Sequence, residues 1–151
     1  MNGKIIAGFI VISAALAGIA IYYLQVYAFY TSVSFQPGRE IELTAIESNR
    51  PEPILAEDVT GIDADSSPLR FRACFSTPMT QAMLSETYVA YDGATPLVAP
   101  SWFSCFDATA IGEALAFLGQ ANVHADVDRV VAVFPDGRAF AWNQLNPSTE
   151  K

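Results

Sequence analysis

The chain has 151 residues, of which 52% are hydrophobic and 16% are charged, with 16 acidic against eight basic side chains. This length allows one ordinary domain, and so high an apolar share argues against a disordered acidic chain. A net charge of −8 argues against nucleic acid as a partner, because its phosphates need clusters of lysine and arginine.

The apolar excess is concentrated near the N-terminus. No charged residue occurs between Lys4 and Arg39, and Ser13 is the only strongly polar, non-aromatic side chain in residues 5–24. As a helix these residues span roughly 30 Å, the thickness of a bilayer's hydrocarbon core. We therefore predict a transmembrane helix over about 5–24, within a membrane anchor of residues 1–30. Aromatic residues typical of the headgroup boundary follow: Tyr22, Tyr23, Tyr27, Phe29 and Tyr30.

A cleaved signal peptide is the alternative interpretation of this segment. Ala15-Leu16-Ala17 has the small-x-small form of a cleavage site, with residues 5–14 as the hydrophobic region. Because the apolar run continues to Leu24, we favour an uncleaved signal-anchor. Lys4 lies on the short side of the helix, which places the N-terminus in the cytoplasm and the C-terminal domain outside, as a single-pass membrane protein.

One face of the predicted helix carries small side chains. Ala14 and Gly18 are one turn apart, as are Ser13 and Ala17. This spacing allows a second helix to approach closely. Ala14 and Gly18 are therefore candidates for contact with another integral membrane protein.

The remainder predicts one α+β domain of antiparallel strands with one or two helices, over residues 40–145. An uncharged stem of 31–39, ending at the Pro37-Gly38 turn, precedes it, and a frayed tail of 146–151 follows. The domain and its flanks carry 16 acidic and seven basic residues, and this charge of −9 would hold them off anionic lipid. Alternating polarity predicts a half-buried strand over 40–46 and another over 69–76, and two prolines predict a loop over 48–53.

The central part of the domain predicts a short helix and then a hairpin. Thr77 is a candidate N-cap with Pro78 at the first helical position, for a helix that ends at about Ser85. The Asp92-Gly93 turn then predicts a hairpin of strands 87–91 and 95–98, the second weakened by a proline.

The C-terminal part predicts a longer helix and a second hairpin. Residues 108–118 (ATAIGEALAFL) have helical spacing of apolar residues, with Asp107 as the N-cap and Gly119 as the terminator. Strands 130–134 and 138–144 flank the Pro135-Asp136-Gly137 turn.

Cys74 and Cys105 are the only cysteines. An even count in an oxidising compartment favours a disulfide. The alternative is a redox-active pair, because Arg70 and Arg72 share a predicted strand face with Cys74 and would favour its thiolate. The pair lacks the Cys-x-x-Cys spacing of most oxidoreductases, so we favour the structural disulfide.

A copper site is a weaker alternative. Met79 and Met83 are one turn apart on the predicted helix, and the two cysteines and His124 would complete a ligand set that suits Cu(I). Methionine at this spacing is more often core filler, so we expect no metal and no cofactor. The sequence has no phosphate-binding glycine loop, no nucleophile-elbow motif and no haem-attachment motif, which argues against nucleotide binding and against catalysis.

Trp102 and Phe103 lie in a proline-bounded segment (APSWFSCF) beside Cys105. If they cluster at the surface, they would form a partner-binding patch. The alternative is that they fill the core behind the disulfide.

The opening segment MNGKIIAGFIVISAALAGIAIYYLQVYAFY and the later PLRFRACF resemble an uncharacterised family of short single-pass membrane proteins from alphaproteobacteria. The resemblance runs along most of the chain, and its N-terminal segment is the most specific part. It implies an inner-membrane anchor with a periplasmic domain. It implies no activity and no functional residues.

We therefore expect a non-catalytic accessory, assembly or structural component of a larger inner-membrane complex. A periplasmic thiol-redox or copper-handling factor using Cys74 and Cys105 is the first alternative. An extracytoplasmic ligand-sensing domain is the second.

Overall fold

The computed structural model describes residues 2–25, 30–36 and 38–146. Within them, an N-terminal α-helix precedes an α+β domain of antiparallel strands. The helices are α1 Gly3–Tyr23 and α2 Gln81–Thr87, with 3₁₀ helices at Pro68–Arg70 and Ala108–Glu113. The strands are β1 Thr31–Ser32, β2 Glu42–Thr44, β3 Pro51–Pro53, β4 Glu57–Asp63, β5 Arg72–Ser76, β6 Leu115–His124, β7 Val127–Val133 and β8 Arg138–Leu145.

Helix α1 confirms the predicted apolar helix. It has 21 residues, enough to cross a bilayer, and none of its side chains is buried in the domain. Asn2 caps it by accepting a hydrogen bond from the Lys4 amide (3.2 Å). Tyr22 and Tyr23 lie exposed at its end, whereas Tyr27 and Phe29 of the predicted aromatic cluster lie outside the described residues.

Six strands form one antiparallel sheet in the order β1-β4-β5-β8-β7-β6, and β2 and β3 form a separate two-stranded sheet. The central strands are buried on both faces, so alternate residues enter two different hydrophobic clusters. In β5, Ala73 and Phe75 pack with β2 and α2 in the first cluster, and Cys74 packs in the second. The alternation predicted for this segment is thus correct, but both faces are covered. The loop between α2 and β6 covers the second face, and Phe106 is its main buried contact.

The hairpin predicted at the C-terminal end is confirmed. β7 and β8 pair from Val127↔Leu145 to Val133↔Ala139. Gly137 closes the turn with a φ of +93°, which glycine adopts without steric cost. Asn146 of the predicted tail donates its amide to the Asp126 carbonyl, and residues 147–151 lie outside the described part.

The helix predicted over 108–118 is wrong. Asp107 does cap a helix there, accepting from the Thr109 amide (2.9 Å), but that helix is a 3₁₀ helix ending at Glu113. From Leu115 the chain is strand β6, since β7 offers it an open ladder of backbone groups. The gain from completing the sheet edge overrides the alanine-rich helical pattern.

Gly119, the predicted helix terminator, lies inside β6. A Cβ at this position would lie 3.1 Å from the Arg129 carbonyl oxygen and 3.3 Å from that of Glu42. Glycine is required here because β2 crosses closely over β6, where the Thr44 hydroxyl donates to the Gly119 carbonyl (3.1 Å). The residue that indicates a helix end in the sequence therefore allows two backbones to approach.

The helix predicted from Thr77 begins later, at Gln81. The Thr77 amide donates to the Gly137 carbonyl (2.9 Å), and its hydroxyl accepts from the Met79 amide (3.2 Å), so Thr77 links the sheet to the turn before the helix. Thr80 is the N-cap instead, accepting from the Met83 amide (3.2 Å).

Two further assignments need correction. Part of the predicted loop 48–53 is strand β3, whose prolines are tolerated because the strand lies at a sheet edge. The hairpin predicted over 87–98 is absent from the described structure, where only single bridges occur at Tyr88 and Ala90. Side chains from the main sheet bind backbone groups of 95–98 instead: Gln144 accepts from the Thr95 amide.

The predicted stem contributes to the domain. β1 pairs with the end of β4, with Thr31 opposite Asp63, and Val33 and Phe35 pack against the first cluster. Pro37 of the predicted turn lies outside the described residues, and Gly38 has a φ of +81°. The segment after the helix is thereby attached to the sheet.

Candidate functional site

A disulfide joins Cys74 and Cys105, whose Cα atoms are 6.2 Å apart. Cys74 is buried in the centre of β5, and Cys105 lies exposed in the loop between α2 and β6. The next residue, Phe106, is buried against the rings of Phe140 (4.9 Å between centroids) and Trp142 (6.2 Å). The disulfide and Phe106 therefore fix the end of this loop to the sheet.

Arg72 fixes the middle of the same loop. Its Nε donates to the Leu97 carbonyl (3.1 Å), and its Nη1 donates to the carbonyls of Leu69 (2.5 Å) and Phe71 (2.7 Å). Burial lowers the pKa of Arg72, while the nearby Tyr30 acts to raise it. This guanidinium thus binds the Leu97 carbonyl oxygen, which the hairpin prediction had assigned to a strand ladder.

The end of the helical segment contacts the domain at its junction with the sheet. Arg70 Nη1 donates to the main-chain oxygen of Gln25 (3.2 Å), two residues beyond α1. The guanidinium of Arg70 also lies over the Tyr30 ring, 5.5 Å from its centroid. The Tyr30 ring packs edge-on against Trp102 (6.0 Å), which packs in turn against Phe103 (6.3 Å). We call these five residues the junction.

The predicted patch residues Trp102 and Phe103 therefore lie in the junction, at the point where the chain leaves the helix. Trp102 is 39% exposed and Phe103 is half-buried against the second cluster. Ala14 and Gly18 lie exposed on α1, and a Cβ on Gly18 would meet no atom within 4 Å. The two groups of partner-contact candidates thus lie on the helix and at its exit.

A buried polar network that we did not predict binds the start of the loop. Tyr91 donates its hydroxyl to Asp128 (3.0 Å), which also accepts from the Asn122 amide (3.0 Å). Gln144 accepts from Trp142 Nε1 (2.8 Å) as well as from the Thr95 amide (2.8 Å). Burial, and then the hydrogen bond to Asp128, raise the pKa of Tyr91 above its ordinary value. These hydrogen bonds hold the start of the loop against β7 and β8.

The structure does not bring the copper-ligand candidates together. Met79 lies before α2 and packs against the first cluster, whereas Cys74 is in the second. Met83 is exposed on α2, and His124 is exposed at the end of β6. Among the residues that the structure describes, no three His, Cys, Asp or Glu side chains lie close enough to hold a metal ion.

Neither cysteine is present as a free thiol that could take part in redox or copper chemistry. A thiolate nucleophile or a copper thiolate needs a reduced cysteine, and both cysteines of the chain are in the disulfide. Arg72, which was expected to favour a Cys74 thiolate, binds carbonyl oxygens instead.

A polar cleft of about 210 Å³ lies between β6, β7 and the chain before β2. Arg39 forms an ion pair with Glu42 there (3.2 Å). Arg129 stacks on the Phe71 ring (3.9 Å) and donates to Asn143 (3.0 Å), and burial lowers its pKa. The cleft thus presents both charges, on six polar side chains: Gln36, Arg39, Glu40, Glu42, Gln120 and Arg129.

Sequence reasoning missed the junction because its members are far apart in the chain. Tyr30 and Trp102 are separated by 72 positions, and no local pattern relates them. One signal was present: Leu97 and Val98 are apolar residues between two prolines, beside Trp102. That composition is unusual for a solvated loop and could have indicated a surface patch.

Residues 41–151 match the model of a family of unknown function, DUF6446. The chain belongs to this DUF6446 family. The matched region contains β2 to β8, both cysteines and all junction residues except Gln25 and Tyr30. This confirms the expectation of an uncharacterised family. No curated protein and no solved structure matches this DUF6446 chain.

Proposed function

We propose that this protein is a non-catalytic accessory, assembly or structural component of a larger inner-membrane complex. The observation that carries the proposal is the junction, in which Arg70 binds the Gln25 carbonyl and Tyr30 packs on Trp102. A flexible linker is enough to confine a domain to a membrane. A domain attached to its anchor by direct contacts is instead held at one height and in one orientation, which suits binding to a neighbouring membrane protein.

The proposed location is the bacterial inner membrane, with the N-terminus in the cytoplasm and the domain in the periplasm. Lys4 on the short side of α1 supports this orientation. The Cys74–Cys105 disulfide supports an oxidising compartment. The resemblance to proteins of alphaproteobacteria supports the same location. A C-terminal alkaline phosphatase fusion tests it, because the fusion should be active and a C-terminal green fluorescent protein fusion dark. The reverse pattern would refute this orientation.

The use of the reactive side chains supports a non-catalytic role. Both cysteines form the disulfide, the Tyr91 hydroxyl binds Asp128, and His124 is exposed at the end of β6. These groups stabilise the domain or face solvent, and they do not converge on one cavity.

The proposed partner is an integral membrane protein that packs against the small-residue face of α1. On α1, Ala14 and Gly18 are one turn apart and allow close helix packing. Ala20 lies two residues beyond Gly18, and thus about 200° around the helix from it. It therefore provides a control position of similar size on another face.

Co-purification tests the proposal. The full chain carries a C-terminal tag, is extracted in mild detergent, and is analysed by mass spectrometry. We expect an integral membrane protein in near-equal amount with the wild type and with Ala20→Leu, and its loss with Ala14→Leu/Gly18→Leu, because leucine prevents close helix approach. Recovery of the wild-type chain alone would refute the proposal.

A second candidate is extracytoplasmic ligand sensing, which the polar cleft favours. Its paired cations and carboxylates suit a small zwitterion such as a free amino acid. A ligand that binds only the folded state raises its melting temperature. We expect such a rise for the full chain in detergent and a smaller one for Arg39→Gln. No rise with any of the standard amino acids would exclude this candidate.

A further inference from the structure

We propose that the loop of residues 96–103 docks on the headgroup layer of the protein's own membrane. This site is an apolar and cationic surface formed by Leu97, Val98, Trp102 and Arg70. We call it the docking surface. The inference requires that α1 spans a bilayer, but it does not require a partner protein.

The docking surface is continuous with the membrane anchor. Arg70 donates to the Gln25 carbonyl, and Gln25 lies only two residues beyond the end of α1. Residues 24 and 25 continue the helical path, so they rise about 3 Å. The hydrogen bond to Arg70 adds 3.2 Å, and the headgroup layer on each side of the hydrocarbon core is roughly 5–8 Å thick. If α1 fills the core, the Arg70 guanidinium therefore lies within the headgroup layer.

The exposed side chains of the loop are those that favour such a layer. Val98 is 82% exposed, Leu97 is 43% exposed and Trp102 is 39% exposed. Tryptophan is enriched at membrane interfaces because its ring is amphipathic, and arginine binds lipid phosphate through several donors. The net charge of −9 on the domain and its flanks opposes contact with anionic lipid in general, but Arg70 places a cation at the C-terminal end of the helical segment.

The loop is held in place at several points, so its apolar side chains do not have to be ordered on docking. Arg72 bridges the carbonyls of Leu97 and Leu69, which places Leu97 beside the residue that precedes Arg70. The Cys74–Cys105 disulfide holds the other end. Docking of a fixed surface avoids the entropy cost of ordering a mobile loop.

Trp102 reports directly on docking. The chain has two tryptophans, and the other, Trp142, is fully buried in the second cluster. The full chain is placed in nanodiscs of phosphatidylcholine and phosphatidylglycerol that contain lipid spin-labelled at the headgroup or high on the acyl chain. The difference in quenching between the wild type and Trp102→Phe gives the quenching of Trp102 alone.

We expect strong quenching of Trp102 by both labels in the wild type. Leu97→Asp/Val98→Asp should abolish it, because each apolar side chain that is no longer buried by docking lowers the docking equilibrium constant roughly tenfold. The matched control is Leu55→Asp, at another exposed leucine. Leu55 precedes β4, at the opposite end of that strand from Asp63, which pairs with Thr31 near the anchor. This variant should be quenched like the wild type.

Near-ultraviolet circular dichroism, which reports on buried Trp142, checks that each variant is folded. Equal quenching in the wild type and in Trp102→Phe, or in the wild type and Leu97→Asp/Val98→Asp, would overturn the proposal. Equal quenching in the wild type and in Trp102→Phe would show that Trp102 does not contact lipid, so that the docking surface would be available to a protein partner. Because no partner is present in the nanodisc, this test and the co-purification test fail independently.

Discussion

Replacing Cys105 with serine isolates the contribution of the disulfide to the stability of the domain. Cys105 is exposed, so its substitution removes little packing, and Cys74 keeps its buried place in β5. The disulfide closes a segment with a sequence separation of 31 residues. In the chain-entropy view, a loop of this length stabilises the folded state by about 3–4 kcal/mol. The matched control is Ser104→Ala, at the neighbouring exposed position.

The measurement is the melting temperature of the full chain in detergent, by scanning calorimetry. For a domain of this size, each kcal/mol corresponds to roughly 3–6 °C, so Cys105→Ser should melt about 10–20 °C below the wild type. Wild type treated with a reductant should melt near the variant. A fall no larger than that of Ser104→Ala would refute the reasoning, because the loop would then be held without the covalent bond.

Three further predictions concern the sheet and its buried network. Gln144→Leu leaves the Thr95 amide, Trp142 Nε1 and the Gly93 carbonyl without their hydrogen-bond partner. It should lower the free energy of unfolding, measured by chemical denaturation, by about 2–4 kcal/mol. The control Gln120→Leu, at an exposed position, should change it little. Gly119→Ala places a Cβ against neighbouring backbone atoms and should lower the free energy of unfolding by about 1–3 kcal/mol. Gly112→Ala lies in open space and should not lower it in the same denaturation experiment. Because the pKa of Tyr91 is raised in the folded state, its contribution to stability is fully present below the unfolded-state pKa of about 10 and is lost as pH rises above it. Stability measured against pH should therefore fall less steeply above pH 10 in Tyr91→Phe, and an identical slope in both proteins would contradict the assignment.

The parts of the fold that were predictable are those whose signal is local. The apolar run of α1 needs no tertiary information, because length and composition alone meet the requirement for a membrane span. The β7–β8 hairpin follows from Pro135-Asp136-Gly137 between two apolar segments. Pairing of the cysteines follows from their even number.

The parts that were not predictable depend on contacts between distant residues. Residues 115–118 have helical spacing, but they form a strand because β7 offers ladder partners that the local pattern does not contain. Residues 95–98 have no ladder in the described structure, because Arg72 and Gln144 bind their backbone from other strands. The junction likewise depends on Tyr30 reaching Trp102.

Arg70, at the end of the 3₁₀ helix, and Arg72, at the start of β5, show how much of the candidate site the sequence could predict. The sequence pattern placed Arg70 and Arg72 on one strand face and related both to the thiol chemistry of Cys74. In the structure Arg70 binds the end of the helical segment, and Arg72 holds the loop that carries Trp102. Arg70 thus connects the domain to the end of the helical segment and Arg72 fixes the neighbouring loop, and no local spacing indicates either contact.

The decisive measurement is the stoichiometry of the membrane proteins recovered with the tagged full chain. After crosslinking in the intact membrane and then extraction in mild detergent, we expect one integral membrane protein in near-equal amount with this chain. Recovery of this chain alone, both with and without crosslinking, would contradict it.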